Sequence, residues 1–233
     1  MNNKPNLSTG GPNAPTSSAV NKLFNGVLNF IFPVECLGCG KKDITLCESC
    51  SAEIPFPETE KKGILAGAAY SSPVIQRVVK SLKYRKNKLA AKPLADLLFN
   101  RIKDKIKQRE IVIVPAPLSK KRLSQRGFNQ ALLIAEFLSD KFKEERSAIK
   151  IVVYNNVLYK NRDTSSQVEI KERDKRLKNL EGVFFVNNNH LIQGKTIFVI
   201  DDVSTTGATI NEAKRALKNA GAKRVVGLVV AQG

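Results

Sequence analysis

The chain has 233 residues, of which 42% are hydrophobic, and this is enough to bury the core of one domain or of two small ones. Its formal net charge is +18, and a charge of this size favours an anionic partner: nucleic acid, a phosphorylated ligand or an acidic membrane. No apolar run approaches the roughly 20 residues that a transmembrane helix needs, so we expect no membrane span.

The beginning of the chain predicts a disordered tail followed by one helix. Residues 1–19 are rich in Asn, Pro, Ser, Thr and Gly and lack the apolar stretch of a secretory signal, so we expect a cytoplasmic protein. From Val20 to Phe32 the apolar residues recur with helical spacing, and Pro33 ends the pattern. This amphipathic helix is expected to dock on the module that follows it.

All four cysteines of the chain lie close together, at Cys36, Cys39, Cys47 and Cys50. Their spacing, C-x2-C-x7-C-x2-C, places two thiolate pairs on tight turns that can close a tetrahedral zinc site. Two disulfides are the alternative, which a cytoplasmic setting argues against. Because four thiolates leave no open coordination position, the zinc is expected to be structural, and it would hold a segment too short to bury a core.

After a linker at residues 51–62, strands alternate with helices, which predicts a parallel α/β sheet. The predicted strands are Gly63–Tyr70, Ile111–Val114, Ile149–Val153, Gly182–Val186, Thr196–Ile200 and Val225–Val230. The predicted helices are Pro73–Leu82, Lys88–Ile106, Arg126–Phe142 and Thr209–Ala220. We therefore expect an N-terminal unit at residues 20–62, comprising the first helix, the zinc module and the linker, and an α/β domain at residues 63–233.

An apolar strand runs into two adjacent carboxylates, Asp201 and Asp202, and a hydroxyl-rich loop then leads into a helix. Ligands of open α/β sheets bind at the carboxyl ends of the strands. The start of a helix favours a phosphate, and Gly207 lets the backbone approach it closely. The carboxylates suit ribose hydroxyls, or a divalent cation shared with a pyrophosphate. The alternative without a ligand is a simple turn, with Thr209 capping the helix.

The run from Asp201 to Thr209 resembles the motif that binds phosphoribosyl pyrophosphate (PRPP) in type I phosphoribosyltransferases. The resemblance implies that Asp201 and Asp202 contact the ribose hydroxyls and that Mg2+ accompanies PRPP. It also implies that five residues hold the 5′-phosphate: Thr205, Thr206, Gly207, Ala208 and Thr209. Some members of that family carry a base for a purine where Thr205 stands here, so purine salvage is not expected.

Further motifs, together with the cysteine unit, resemble the ComF family and cover most of residues 20–233. They are Val114–Ser119, Arg122 with Arg126–Gln130, Arg162–Gln167 and Arg173–Asn179. The resemblance implies a small N-terminal four-cysteine zinc module joined to a type I phosphoribosyltransferase-like parallel sheet flanked by helices. It also implies an association with DNA uptake during natural competence in bacteria.

Fifteen lysines and arginines, against three acidic residues, lie between Lys80 and Arg126. The densest group is expected to grip a pyrophosphate or a nucleic-acid backbone, unless it is only a solvated helix start. That group is Lys120, Lys121, Arg122 and Arg126. By resemblance, the residues just before it lie near pyrophosphate: Ala116, Pro117, Leu118 and Ser119. Arg162 is a donor of the kind that a mobile lid brings to an anion.

Three functions compete at this stage. The first is a PRPP-binding, phosphoribosyltransferase-like protein of the ComF type that acts in DNA uptake during natural transformation. Its acceptor and its catalytic residues are open, because the only histidine, His190, lies outside every motif. The second is a non-enzymatic adaptor that binds single-stranded DNA and uses a PRPP site for sensing or stability. The third is a zinc-dependent interaction protein. A DNA-uptake helicase or processing protein is a further expected partner.

Overall fold

The computed structural model describes residues 34–146, 148–161 and 182–233. The predicted tail and the predicted helix at Val20–Phe32 lie outside the described residues. So do Arg162 and the motif at Arg173–Asn179.

Five parallel strands form the central sheet, with their carboxyl ends at one edge. They are β1 (Ile64–Ala69), β2 (Glu110–Pro115), β3 (Lys150–Val153), β6 (Thr196–Ser204) and β7 (Arg224–Gln232). Their spatial order is β1-β7-β6-β2-β3, and every neighbouring pair is parallel. The two remaining strands form a separate antiparallel pair, β4 (Leu158–Lys160) and β5 (Phe184–Val186). The predicted parallel α/β sheet is therefore confirmed.

Helices cover both faces of this sheet. They are α1 (Glu48–Ala52), α2 (Pro73–Tyr84), α3 (Ala91–Ile102), α4 (Lys120–Arg126), α5 (Gln130–Glu145) and α6 (Ala208–Asn219), with short 3-10 turns at Lys88–Ala90 and Asn189–Leu191. Side chains alternate along β2, so that Ile111 and Ile113 join the apolar cluster of α2, α3 and α5, while Val112 and Val114 join the cluster of α6. Burial on both faces explains why these strands are apolar without interruption. Within the described ranges, no helix has the length and apolarity to cross a membrane.

The prediction of one helix over Arg126–Phe142 is wrong, because two helices meet there. Helix α4 ends at Arg126, and Gly127 follows in the left-handed region with φ 81°. The side chain of Asn129 then accepts a hydrogen bond from the N–H of Ala131 at 3.0 Å and begins α5. A left-handed glycine and an asparagine cap are ordinary stop and start signals for helices.

Strand β6 is longer than the predicted strand Thr196–Ile200, because it continues through both acids to Ser204. Asp201 pairs with Val229 and Ser204 pairs with Gln232, so the backbone of the acid pair is fixed by β7. The apolar pattern stops at Ile200, although Asp202 is buried as deeply as the core residues before it. Two smaller differences are that Lys88–Ile106 starts as a 3-10 turn and ends at Ile102, and that β4 was not predicted.

The cysteine unit packs against α2. Cys36, Leu46 and Ile54 belong to the same buried cluster as Ile75 and Val78 of that helix. In addition, the Arg77 Nε of α2 donates a hydrogen bond to the Leu37 carbonyl at 2.6 Å. The position of α2 is therefore tied to the fold of the cysteine unit.

Candidate functional site

Asp202 is a buried carboxylate near the carboxyl end of β6, with only 3% of its surface exposed. Its Oδ1 accepts a hydrogen bond from the N–H of Val203 at 2.6 Å, and it lies 2.7 Å from the Nζ of Lys83. Its Oδ2 is also buried but has no hydrogen-bond partner within the described part of the chain. A buried, unsatisfied oxygen of this kind costs about 1–3 kcal/mol, or more when it is charged, so the site is incomplete without a donor.

Lys83 reaches the acid pair from the last turn of α2. Burial alone would lower the pKa of its ammonium, but the charge and hydrogen bond of Asp202, together with the charge of Asp201, outweigh burial, and the pKa is raised. Arg126 of α4 lies close enough to oppose that rise. Two cations from two different helices therefore stand beside the two acids.

Asp201 differs from its neighbour because it remains partly exposed. Its Oδ1 accepts a hydrogen bond from the N–H of Asp202 at 2.8 Å. Burial, and after it the charge of Asp202, raises the pKa of Asp201 to about 7, while Lys83 and Lys160 act in the opposite direction. Asp201 therefore carries only part of its negative charge near neutral pH.

The loop after β6 presents backbone groups at the start of α6. Gly207 adopts a φ of 82° at the N-cap, and no side chain caps the helix there. Thr206 Oγ1 accepts from the N–H of Ala208 at 3.3 Å. The hydroxyl of Ser204 is buried and has no partner among the described residues. Helix N-termini with free backbone groups and nearby hydroxyls of this kind are common anion-binding features.

Lys61 closes the other side of this loop. Its Nζ donates to the carbonyl of Thr205 and, at 2.6 Å, to the carbonyl of Gly233. Its backbone N–H donates to Gln232 Oε1 at 3.2 Å. This lysine, which the sequence analysis placed in a linker, therefore brings a positive charge to the loop after β6.

The segment from Ala116 to Ser119 lies beside the acid pair. The N–H of Ala116 donates to the carbonyl of Ile200 at 2.8 Å, which holds this segment against β6. Asn129 Nδ2 donates to the carbonyl of Ala116 at 3.1 Å, and Ser119 Oγ accepts from the N–H of Arg122 at 3.4 Å and caps α4. Lys120 and Lys121 are exposed on the same helix.

The structure thus gathers most of the predicted site at one edge of the sheet: the acid pair, the loop at 205–209, the segment at 116–119, and Arg126 through its proximity to Lys83. Three further lysines near this edge were not predicted individually: Lys61, Lys83 and Lys160. They carry no local motif. They come from a loop, a helix end and a short strand, and only tertiary packing brings them to β6.

The four cysteine sulfurs form a candidate metal centre, since all of them lie within 4.8 Å of one another. The sulfurs of Cys39 and Cys47 are 3.7 Å apart, close to the ~3.8 Å edge expected for a tetrahedron of thiolates about zinc. That separation is well beyond a disulfide bond of ~2.05 Å. A methyl group at Gly38 would lie 2.5 Å from the sulfur of Cys50, so only glycine fits this turn.

The thiols of this cluster differ sharply in acidity. Burial opposes ionisation of Cys36, but the N–H groups of Cys47, Cys39 and Gly38 outweigh it and lower its pKa to about 6. Hydrogen bonds with the sulfurs of Cys47 and Cys39, together with burial, raise the pKa of Cys50 to about 12. Without a cation the four thiols would therefore not all be ionised at neutral pH. A metal ion would stabilise them as four thiolates, and zinc fits this all-sulfur donor set.

Comparison with known proteins matches residues 81–232 to the phosphoribosyl transferase domain family. Competence protein ComFC of Streptococcus pneumoniae is 31% identical over 192 residues, which are 82% of this chain and 77% of that protein. Competence protein F of Haemophilus influenzae is 26% identical over 210 residues, which are 82% of this chain and 86% of that protein. The family match, the parallel sheet and the four-cysteine cluster confirm the predicted fold class.

Solved structures resemble the chain at lower identity. Adenine phosphoribosyltransferase from Leishmania donovani aligns with 75% of this chain and 72% of its own, at 14% identity and a TM-score of 0.41. The allosteric regulatory enzyme of purine biosynthesis aligns with 60% of this chain at 19% identity and a TM-score of 0.36. The chain spans only 25% of the length of that enzyme.

Replacement of Gly38 by alanine should lower the metal content of the protein, because the added methyl group would occupy the space of the Cys50 sulfur. Metal analysis of freshly reduced protein should find about one zinc ion per wild-type chain and clearly less in Gly38→Ala. Glu53→Ala, at an exposed position just after α1, serves as the control and should keep its metal. Equal zinc content in Gly38→Ala and the wild type would contradict this assignment.

Replacement of Asp201 by asparagine should change how stability depends on pH. The raised pKa means that folded Asp201 holds its proton until about pH 7, whereas the unfolded chain releases it near 4. Its contribution to stability is therefore full below pH 4 and is lost as the pH rises through 7. The melting temperature of Asp201→Asn relative to wild type should increase between pH 5 and pH 8.

The exposed Asp140→Asn provides the control for that measurement, and its difference from wild type should stay constant over the same pH range. A constant difference for Asp201→Asn as well would show that Asp201 titrates normally.

Proposed function

Since the chain belongs to the ComF family and contains a phosphoribosyl transferase domain, we propose that it binds PRPP at the carboxyl edge of its sheet and acts in DNA uptake during natural transformation. The observation that carries the proposal is the buried Oδ2 of Asp202, which has no partner in the described part of the chain. A ribose hydroxyl is a donor of the right size, and it would satisfy that oxygen without adding charge.

The 5′-phosphate of PRPP fits the loop at residues 205–209. The uncapped start of α6, the left-handed Gly207 and the nearby ammonium of Lys61 all favour an anion there. Asp201 and Asp202 lie on β6 just before this loop. Since the ribose of PRPP is attached to the 5′-phosphate, a phosphate in the loop would place the ribose near these two carboxylates. The proposed contacts are Asp201, Asp202, Thr205, Thr206, Gly207, Ala208 and Thr209.

The pyrophosphate of the ligand would lie towards the segment from Ala116 to Ser119. That segment is held against β6, and helix α4 follows it with four basic residues. Mg2+ bound to the pyrophosphate would neutralise part of its charge and stabilise it as a leaving group. This arrangement suits phosphoribosyl transfer, in which pyrophosphate departs from C1 of the ribose.

The metal of the cysteine unit is proposed to be structural zinc. Cys36, Cys39, Cys47 and Cys50 would supply all four ligands, which leaves no open position for a substrate. Its role is to hold the segment that packs on α2.

The link to DNA uptake rests on relatives that are named competence proteins and on one named DNA utilization protein YhgH, from Escherichia coli O157:H7, which is 26% identical over 203 residues. We place this chain in the same process, in the cytoplasm, with a DNA-uptake helicase or processing protein as a partner.

A second candidate function is that of a single-stranded DNA adaptor, and an exposed basic surface favours it. The surface consists of Tyr84, Arg85, Lys86, Lys88, Lys120, Lys121, Arg122 and Arg126. Tyr84 is 71% exposed at the end of α2, beside exposed Arg85 and Lys86. Basic side chains beside an exposed aromatic ring are what single-stranded nucleic acid binds, through its phosphates and its bases.

Two neighbouring residues relate the two halves of this basic surface. The Nζ of Lys88 lies 5.5 Å from the centre of the Phe128 ring, just beyond α4, and the charge of Arg126 acts to lower the pKa of Lys83, next to Tyr84. The surface therefore adjoins the acid pair, and bound DNA and PRPP would be close neighbours.

Calorimetric titration with PRPP and Mg2+ tests the first proposal. The wild type should bind, and Asp202→Asn should weaken binding about tenfold to a hundredfold, because the charged acceptor of a buried hydrogen bond is lost. Asp140→Asn, an exposed carboxylate on α5, is the matched control and should bind like the wild type. Absence of binding by the wild type, or unchanged binding by folded Asp202→Asn, would refute the site.

Fluorescence anisotropy with a labelled single-stranded oligonucleotide tests the second proposal. Changing Lys120, Lys121 and Arg122 together to alanine should weaken binding and reduce the salt slope of the logarithm of affinity by about 2, since each lost phosphate contact contributes about 0.7.

A triple alanine variant of Lys143, Lys150 and Lys223 removes the same charge near the amino ends of the strands and is the control for that experiment. It should retain the slope of the wild type. Equal slopes in all three proteins would show that DNA does not use α4.

A further inference from the structure

The ion pair of Lys83 with Asp202 is buried, and burial of an ion pair seldom stabilises a folded protein. The two side chains are 20% and 4% exposed, and their charged atoms are 2.7 Å apart. Burying such a pair costs several kcal/mol per ion, and the mutual attraction often does no more than offset that cost. An apolar pair would serve the core equally well, so the cation has its own use at this site.

The Oδ1 atom of Asp202 has little room for a metal ion, and the proposed function assigns the unpartnered Oδ2 to a ribose hydroxyl. Oδ1 already accepts from Lys83 and from the N–H of Val203. Mg2+ demands a nearly octahedral set of oxygens at ~2.1 Å and keeps several waters. An ion at Oδ1 would have to displace the ammonium and would bring a third cation next to Lys83 and Arg126.

The ammonium of Lys83 also has further hydrogen-bond donors. It carries three N–H donors, and within the described ranges Asp202 is the one hydrogen-bonding acceptor recorded for Lys83. The side chain keeps a fifth of its surface open, and Arg126 of the basic helix α4 lies close enough to influence it. The remaining donors are therefore available to an anionic ligand that enters the site.

We propose that Lys83 is the built-in counter-cation of the ligand site: its ammonium neutralises Asp202 and donates to the pyrophosphate of PRPP, in place of a metal ion at the acid pair. This inference rests on the proposed function, because it takes PRPP to be the ligand. Mg2+ then acts on the pyrophosphate alone, and PRPP binds with only modest dependence on Mg2+.

Helix α2, which carries Lys83, is held at its start and near its middle. Ser72 caps the start of the helix through its hydroxyl, and Arg77 donates to the carbonyl of Leu37 in the cysteine unit. Lys83 is one turn after Lys80, which is exposed on the same helix. The chain thus offers a matched control of the same residue type, one turn away from the site.

Calorimetry with PRPP in EDTA and in excess Mg2+ tests the inference on four proteins: wild type, Lys83→Met, Lys83→Arg and Lys80→Met. The wild type and Lys80→Met should bind in EDTA, within about tenfold of their affinity with Mg2+. Lys83→Met should lose about tenfold to a hundredfold in EDTA, as expected for a lost charge-assisted hydrogen bond. Mg2+ should restore most of that loss, because the acid pair can then accept the ion. Lys83→Arg should keep most of the binding in EDTA.

Several results would overturn the inference. One is that the wild type binds PRPP only when Mg2+ is present, a result that does not depend on the folding of any variant. Another is a folded Lys83→Met that binds in EDTA as tightly as the wild type, or that loses the same factor in both buffers. If the wild type binds PRPP in neither buffer, the proposed function fails as well, which separates that outcome from the others. Zinc content and melting temperature show whether each variant is folded.

Discussion

The buried carboxylate of Asp202 has hydrogen-bond partners at Oδ1 but none at Oδ2 within the described residues. The other groups of the site lie around this carboxylate. Strand β6 fixes the backbone of the acid pair by pairing with β7, so the buried Asp202 cannot turn away to reach water. Lys83 supplies the compensating charge. What is missing is a neutral hydrogen-bond donor, and under the proposed function a ribose hydroxyl would provide it.

This constraint links parts of the molecule that lie far apart in the chain. Lys83 must be presented by α2, and α2 is clamped by the cysteine unit through Arg77 and a shared apolar cluster. A metal that organises the four cysteines therefore also sets the position of a cation at the ligand site. The cysteine unit is, in this view, a brace for the site as well as a small fold of its own. The basic surface continues outward from the same helix end, so the proposed DNA-binding face and the proposed PRPP site would lie side by side.

The sequence analysis predicted the features whose residues are close together in the chain. The run from Asp201 to Thr209 contains the acid pair, the glycine and the hydroxyls, and the spacing of the four cysteines predicts their cluster. The prediction of a single helix over Arg126–Phe142 is wrong because the apolar pattern resumes after Gly127 and hides the break. Strand β6 extends past Ile200 because sheet pairing, and not apolarity, holds its last residues. Lys61, Lys83 and Lys160 could not be found, because a lysine on a helix end or in a linker has no pattern until packing places it. The assignments of Thr205 to Thr209 and of the basic residues to PRPP or DNA stay predictions.

The most direct measurement is a crystal structure of the full chain with PRPP bound. The account predicts a ribose hydroxyl within hydrogen-bond distance of Asp202 Oδ2, about 2.5–3.0 Å away, with Lys83 still paired to Oδ1. A ribose that lies elsewhere, or an Oδ2 that is satisfied by a protein group or by a metal ion while PRPP is bound, would contradict it.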